Sequence, residues 1–300
     1  MSVRSSRDPS LTVTADRTAG PELEFDVAAS RCPPTSQRHQ AIQLDTVIAR
    51  PSIARANLAV STANPHGSVD YPNLKAADLR DNTVLQQHVL FWDRDGDGAI
   101  YPWDTYKGFR ELGFGIPFSL LSVFIVNAGL SYPTRLAHSY VPDPWFRVYV
   151  TSIHKAKHGS DSGTFDNEGR FCPQMFEDMF SKWDTDGDGA LSAGQLLNMI
   201  AGHRLAVDPF GWFAGVFEFG STWLLVQKDG RVSKEDLRQT YDGSIFWRIR
   251  DARLHGKGWH KGFSLRDLVK LATSTITAGR DGWSGRSMAT RDVTNGAAKK

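Results

Sequence analysis

The chain has 300 residues, 40% of them hydrophobic, enough for one large core or two small ones. Lysine and arginine number 35 against 33 acidic residues, a formal charge of +2 with the basic side chains scattered, which excludes the electrostatic footprint of a nucleic-acid binder. The two cysteines, Cys32 and Cys172, lie far apart and argue against a structural disulfide, and the N-terminus lacks the apolar stretch of a secretory signal.

Residues 1–75 are rich in Ser, Thr, Pro, Ala and Arg without sustained periodicity, and are expected to form a disordered tail. The segment AADLRDNTVLQQHVLFWD reads as a helix, with Leu79, Val84, Leu85, Val89 and Leu90 as its apolar members. It runs into DRDGDGAIYPWD, residues 93–104, an EF-hand-type loop. Asp93, Asp95 and Asp97 occupy positions 1, 3 and 5, Gly98 the sharp turn at 6, Ala99 the carbonyl position 7, and Asp104 position 12. A hard divalent cation such as calcium wants about six to eight oxygens, and this spacing wraps them around one point. An Asp/Gly-rich turn accounts for the glycines but not for carboxylates at i, i+2 and i+4. Aspartate at position 12 is a shorter arm than the usual glutamate, which weakens bidentate closure.

TYKGFRELGF reads as the helix leaving the loop, broken by Gly113, Gly115 and Pro117. The segment 113–133 is apolar, and no charge occurs between Glu111 and Arg135. Its heart, Phe118 to Leu130, is 13 residues, roughly 20 Å of helix, against about 30 Å for a bilayer core. Bracketed by Pro117 and Pro133, it reads either as a monotopic membrane insertion or as a buried core helix. A proline-rich turn follows at 133–147, then a short strand in WFRVYV and the polar HKAKHGSDSGTFD.

PQMFEDMFSKW reads as a helix into a second EF-like loop, DTDGDGALSAGQ, residues 184–195. Asp184, Asp186 and Asp188 repeat positions 1, 3 and 5, and Ala190 repeats position 7, but position 12 is the neutral Gln195. This loop is expected either to bind an ion or to serve mainly as the first loop's pairing partner. A helix in AGQLLNMIAGHR, a buried aromatic helix in FGWFAGVFEFGSTWLLV and an amphipathic helix opened by Ser233 follow, and residues 277–300 read as a second disordered tail. The expected fold is mainly α: an EF-hand-like helix-loop-helix domain over 76–276 with a short apolar membrane-associating segment.

Taken together and in this order, LQQHVLFWDRDGDGAIYPWDTYKG, the apolar run ending GLSYPT, IHKAKHGSDSGTFDNEGRF, DPFGWFAG and DGRVSKEDLRQTYDGSIF resemble the caleosins, calcium-binding, haem-dependent peroxygenases of lipid droplets and endoplasmic reticulum. The resemblance covers roughly Val84 to Trp247. It implies haem b and calcium as cofactors, with two histidines needed for activity. Carried onto this chain these are His88, just ahead of the first loop, and His158 of the KHGSD segment. Which is the axial ligand and which works on the peroxide stays open, and His154, four residues before His158, competes with it.

The implied chemistry moves one oxygen from a fatty-acid hydroperoxide to an unsaturated lipid or other apolar acceptor, giving epoxides, hydroxylated products, sulfoxides and oxylipins. The implied location is the cytosolic face of the lipid-droplet or endoplasmic-reticulum membrane, and homo-oligomerisation is left open. Arg147 stands in the turn where the family pattern leads one to expect proline. A charge in a lipid-facing turn costs several kcal/mol unless it snorkels, so membrane anchoring transfers less firmly than the chemistry. The alternative is a non-enzymatic calcium-binding coat or tethering protein of lipid droplets, and a soluble enzyme of the same fold acting on a small apolar metabolite is a third reading.

Overall fold

The computed structural model describes residues 44–69 and 81–255. The expectations for 1–43 and 277–300 lie outside them. The fold is mainly helical, as expected, with four very short strands among the described residues.

Thr83 starts the helix of the first loop. Its hydroxyl accepts Gln86 N–H, and the Gln86 side chain accepts Thr83 N–H, so two orphan donors are satisfied and helix α2 (Val84–Val89) is set. A single turn, α1 (Leu44–Val47), precedes it in the chain. After the loop, β1 (Ala99–Ile100) leads into α3 (Pro102–Leu112), opened by Pro102 and by Asp104 accepting Tyr101 N–H at 3.1 Å. Gly113, at φ 103°, ends α3 in the left-handed conformation that glycine adopts without strain.

The apolar segment is longer than its sequence pattern suggests. α4 (Ile116–Val123), a π turn (Phe124–Ala128) and α5 (Gly129–Arg135) form one continuous helix of 20 residues, with Pro133 inside it rather than ending it. By length and composition this helix could cross a membrane. It is neither a core helix nor free on all sides. Ser119, Ser122, Asn127, Ser131 and Thr134 face inward, while Ile116, Leu120, Phe124, Ala128, Tyr132 and Leu136, four residues apart, face out. The buried hydroxyls of Ser119, Ser122 and Thr134 donate to carbonyls one turn earlier, and on that face Asn127 Oδ1 is left without a partner.

The connection then gives β2 (Val148–Tyr149) and a 3-10 helix (Val150–Ala156). Arg147 is partnered within the fold: its Nε donates to Asp143 at 2.7 Å, and it stacks near Tyr101 and Tyr149. α6 (Pro173–Trp183), β3 (Ala190–Ser192), α7 (Ala193–His203), α8 (Pro209–Val226), β4 (Arg231–Ser233), α9 (Lys234–Tyr241) and α10 (Ser244–Leu254) complete the order. The aromatic helix α8 is not wholly buried as expected: Phe210, Trp212, Phe213 and Val216 are exposed.

The two EF-like loops do not pair with each other, contrary to the expected partnership. β1 pairs antiparallel with β2, Ile100 opposite Val148, and β3 pairs antiparallel with β4, Leu191 opposite Val232. β4 is delivered by a tight hairpin whose two turn residues, Asp229 and Gly230, both have positive φ, the geometry that suits a strand's right-handed twist.

Residues 44–69, assigned to the tail on composition, pack into the fold. Phe171 N–H donates to Arg55 O at 2.7 Å, Ala59 joins the main core, and buried Arg238 donates to Ala59 O at 2.7 Å. Leu44, Ile48 and Val60 form a small apolar cluster of their own with Leu58, and backbone bonds and one buried guanidinium tie the segment to the rest. The main core gathers Phe91, Phe109, Phe118, Phe171, Phe176, Phe217 and Ile245, and a smaller cluster forms around Ile100, Val148, Val150 and Ile153.

Candidate functional site

The loop 93–104 leaves its first three carboxylates together. One oxygen each of Asp93, Asp95 and Asp97 lies within 4.8 Å of the others. Backbone N–H groups fold the loop around them: Asp93 accepts from Gly96 and Gly98, both at 3.1 Å, and Asp97 from Ala99 at 2.8 Å. Burial and the neighbouring carboxylates push Asp93 above the usual carboxylate range, against the pull of Gly98 and Gly96 N–H. Asp104 stands at the third position of α3, where its carboxylate caps Tyr101. This donor set of clustered oxygens suits a hard divalent cation. The second loop repeats the cluster with Asp184, Asp186 and Asp188. Ala190 and Gln195 hold positions 7 and 12, and Gln195 turns its side-chain oxygen to Ser192 N–H at 2.7 Å.

Between α2, the apolar helix and α8 lies a cavity in which the centres of water-sized atoms can move through ≈ 260 Å³. Its walls are mostly apolar, with Trp92, Phe109, Val126, Leu130, Phe217 and Phe246 among them. His88 and His158, 70 positions apart in sequence, both line it. Trp92, directly before Asp93, and Ile100, at loop position 8, line it too, so the first loop and the cavity share a wall.

His88 is held by its Nδ1, 2.7 Å from Thr240 O, which fixes the proton on that nitrogen and leaves Nε2 as the ring's lone-pair donor. Burial lowers its pKa, outweighing the Thr240 bond and the charges of Glu218 and Asp242, so the ring is neutral. Phe246 stands edge-on to it at 5.3 Å. Gly243 lets α10 approach this closely, since a Cβ there would lie 2.8 Å from Gln87 O and 2.9 Å from His88 Cα.

His158 is the opposite case. Burial lowers its pKa, but Glu218, Asp208 and Asp161 outweigh that and raise it, which favours the protonated ring. Its Nδ1 lies 3.8 Å from Asp208 Oδ2 and its Nε2 3.8 Å from Glu218 Oε2, ion-pair contacts too long for hydrogen bonds. Asp208 is the N-cap of α8, accepting Gly211 N–H at 2.9 Å, and it also accepts Ser160 N–H at 2.6 Å, tying the histidine segment to that helix. His154 does not share a face with His158: the 3-10 helix ends at Ala156, Lys157 is extended, and His154 is not among the cavity's lining residues.

Two residues of this site are absent from the sequence reading. Glu218 had a signal, as the single charge in the apolar run of α8. Thr240 had none, since it acts through its backbone carbonyl. A neutral, anchored imidazole beside aromatic walls fits the axial donor of haem b, and His158, whose protonated form the flanking carboxylates favour, fits a group that moves protons.

Fold and site define a helical protein on EF-hand-type loops with an apolar cavity carrying two histidines of opposite character. The chain belongs to the caleosin family: the model of the caleosin related proteins matches residues 80–250. It is 37% identical to a peroxygenase of Lilium longiflorum over 237 residues, 79% of this chain and 96% of that protein. It is 37% identical to probable peroxygenase 4 of Arabidopsis thaliana over 58% of this chain and 88% of that protein, and 29% identical to a probable inactive peroxygenase-like protein of Arabidopsis thaliana over 49% and 70%. No solved structure matches.

Proposed function

We propose that the protein is a calcium-dependent haem peroxygenase that moves oxygen from a fatty-acid hydroperoxide to an unsaturated lipid or other apolar acceptor at a lipid surface. The observation that carries this reading is an apolar cavity lined by both His88 and His158, the first anchored with a lowered pKa, the second flanked by carboxylates that raise its pKa. Relatives named as peroxygenases support the same chemistry.

His88 would hold the haem iron through Nε2, its basicity raised by the Thr240 carbonyl. Bound haem supplies the oxidising chemistry that side chains lack. His158, flanked by Asp208 and Glu218, would move the hydroperoxide's proton from the oxygen that is transferred to the oxygen that departs as alcohol. Val126, Leu130 and Phe217 would hold the acyl chain and exclude water. Calcium at Asp93, Asp95, Asp97, Ala99 O and Asp104 would fix Trp92 and Ile100, and with them the cavity wall.

The outward stripe of the 20-residue helix, with Tyr140, Val141, Trp145 and Phe146 exposed beside it, suits the cytosolic face of a lipid droplet or of the endoplasmic reticulum. The relative named as inactive gives weight to a second reading, a calcium-binding coat without catalysis. The absorption spectrum of purified protein, with and without chelator, together with hydroperoxide-driven sulfide oxidation separates the two. A Soret band and turnover support the enzyme, and their joint absence supports the coat.

A further inference from the structure

The ligand positions of the second loop are already taken by the chain itself. Asp186, at position 3, lies 2.7 Å from Arg231 Nη2. The same nitrogen donates to Ala190 O, at position 7, at 3.2 Å. Arg231 Nε sits 2.8 Å from Asp188 Oδ2, at position 5, an ion-pair contact with its angle off a hydrogen bond. Gln195, at position 12, presents a donor instead of an acceptor: its Nε2 donates to Asp186 Oδ1 at 2.5 Å. Three acceptors that a divalent ion would use therefore meet a guanidinium. They also lower the Asp186 pKa, through Gln195 first and then Arg231.

The arginine is placed by the fold. It stands on β4 opposite Ser192 of β3, at the exit of the Asp229–Gly230 hairpin. In the first loop the corresponding positions are open. Among the described residues no lysine or arginine pairs with Asp93, Asp95 or Asp97, and Arg94 turns away to make a two-pronged contact with Glu111 at 2.9 and 2.7 Å. The charge count separates the loops further. Asp93, Asp95, Asp97 and Asp104 sum to −4, whereas Asp184, Asp186 and Asp188 with Arg231 sum to −2. Ligand charge is a main determinant of cation affinity in such loops. Each ion pair here is half-exposed and weak alone, but three contacts from one rigid fork compete at the same point an ion would occupy.

We propose that Arg231 closes the second EF-like loop in place of a divalent cation, so that this loop is a calcium-independent brace and the chain takes its calcium at the first loop. The brace has a use, because β4 runs directly into α9, whose Thr240 carbonyl holds His88. The inference rests on the reading of the first loop as a calcium site, and the experiment keeps the two apart. Calcium bound per full-length chain is counted by equilibrium dialysis. One ion is expected in the wild type, lost in Asp93→Asn and kept in Asp188→Asn.

Gln195→Glu alone should add no ion. Gln195→Glu with Arg231→Gln should add one, which Asp188→Asn then removes. A second ion in the wild type or in Gln195→Glu alone overturns the brace, and so does a folded double variant that gains none. If the double variant does not fold by circular dichroism, Arg231→Met, which keeps the stem, replaces it in the same comparison. Absence of the Asp93-dependent ion counts against the first-loop site, and the Gln195 and Arg231 comparison still decides the second.

Discussion

The imidazole of His88 is tied by its Nδ1 to the carbonyl of Thr240, 152 positions later in the chain and 2.7 Å away. That one bond selects the tautomer, aims the ring and joins α2 to the last turn of α9. His158 has no such tie, and two carboxylates at 3.8 Å flank it instead. The expected behaviour of variants follows from this asymmetry.

His88→Ala should lose haem and turnover together, seen as loss of the Soret band. His158→Ala should keep the band and lose hydroperoxide-driven sulfide oxidation by about a hundredfold or more. His154→Ala serves as control, because the 3-10 helix ends before it can share a face with His158. Full activity in both of the first two variants, with an unchanged spectrum, would remove the two-histidine mechanism.

Gly243→Ala should act on His88 without touching its side chain. At φ 75°, an alanine costs about 1–2 kcal/mol of backbone strain, and its Cβ would press on Gln87 O and the His88 backbone. Lower haem retention and a lower unfolding midpoint are expected. Unchanged haem affinity in a destabilised protein would show that the close approach serves packing alone.

The His158 charge should leave a pH signature. Its folded pKa is raised above the ordinary 6.5, after burial, by Glu218, Asp208 and Asp161. Its ion pairs therefore stabilise the fold in full below about pH 6.5 and lose their effect as pH rises through the raised value. Urea midpoints of wild type and His158→Gln should differ most at acid pH and converge at alkaline pH. Glu218→Gln should move that convergence to lower pH, and a pH-independent gap would refute the charge assignment.

Removing the first loop's ion should loosen the cavity, since Trp92 and Ile100 belong to both. Asp93→Ala, which deletes a charged ligand, should lower calcium binding and haem retention together. Equal haem content in mutant and wild type would break the coupling while leaving the calcium site in place. Asp184→Ala should do much less.

The outward stripe can be tested by charge. Leu120→Asp with Phe124→Asp places both carboxylates on the exposed face, where Phe124 is 71% accessible, so the fold should survive. Flotation with liposomes should be lost while the circular dichroism spectrum is kept. Retained flotation in a folded variant would rule the stripe out as the membrane contact.

Local chemistry was legible in the sequence. An EF-hand-type loop is written within twelve residues, because its ligand positions 1, 3, 5, 7 and 12 all lie in one short segment. The cap at Ser233 ahead of α9 is likewise settled by neighbours, whereas the helix read through Thr83 starts only after it, at Val84. The histidine pair came from resemblance, since nothing within a few residues of His88 marks it as a donor.

What only the tertiary structure decided lies at long separation. It sets which strand each loop pairs with, and which face of the apolar helix turns outward. It sets that Asn127 in the π turn donates to Ile100 O at 3.2 Å and Phe146 O at 3.0 Å, and that Arg231 reaches Asp186 from 45 positions away. Residues 44–69 read as tail because their few buried apolar residues, Leu44, Ile48, Ala59 and Val60, follow no helical or strand period, and backbone bonds and one buried arginine do the rest. Periodicity records only burial of apolar surface, whereas hydrogen bonds and ion pairs between distant segments leave no repeating mark in the chain.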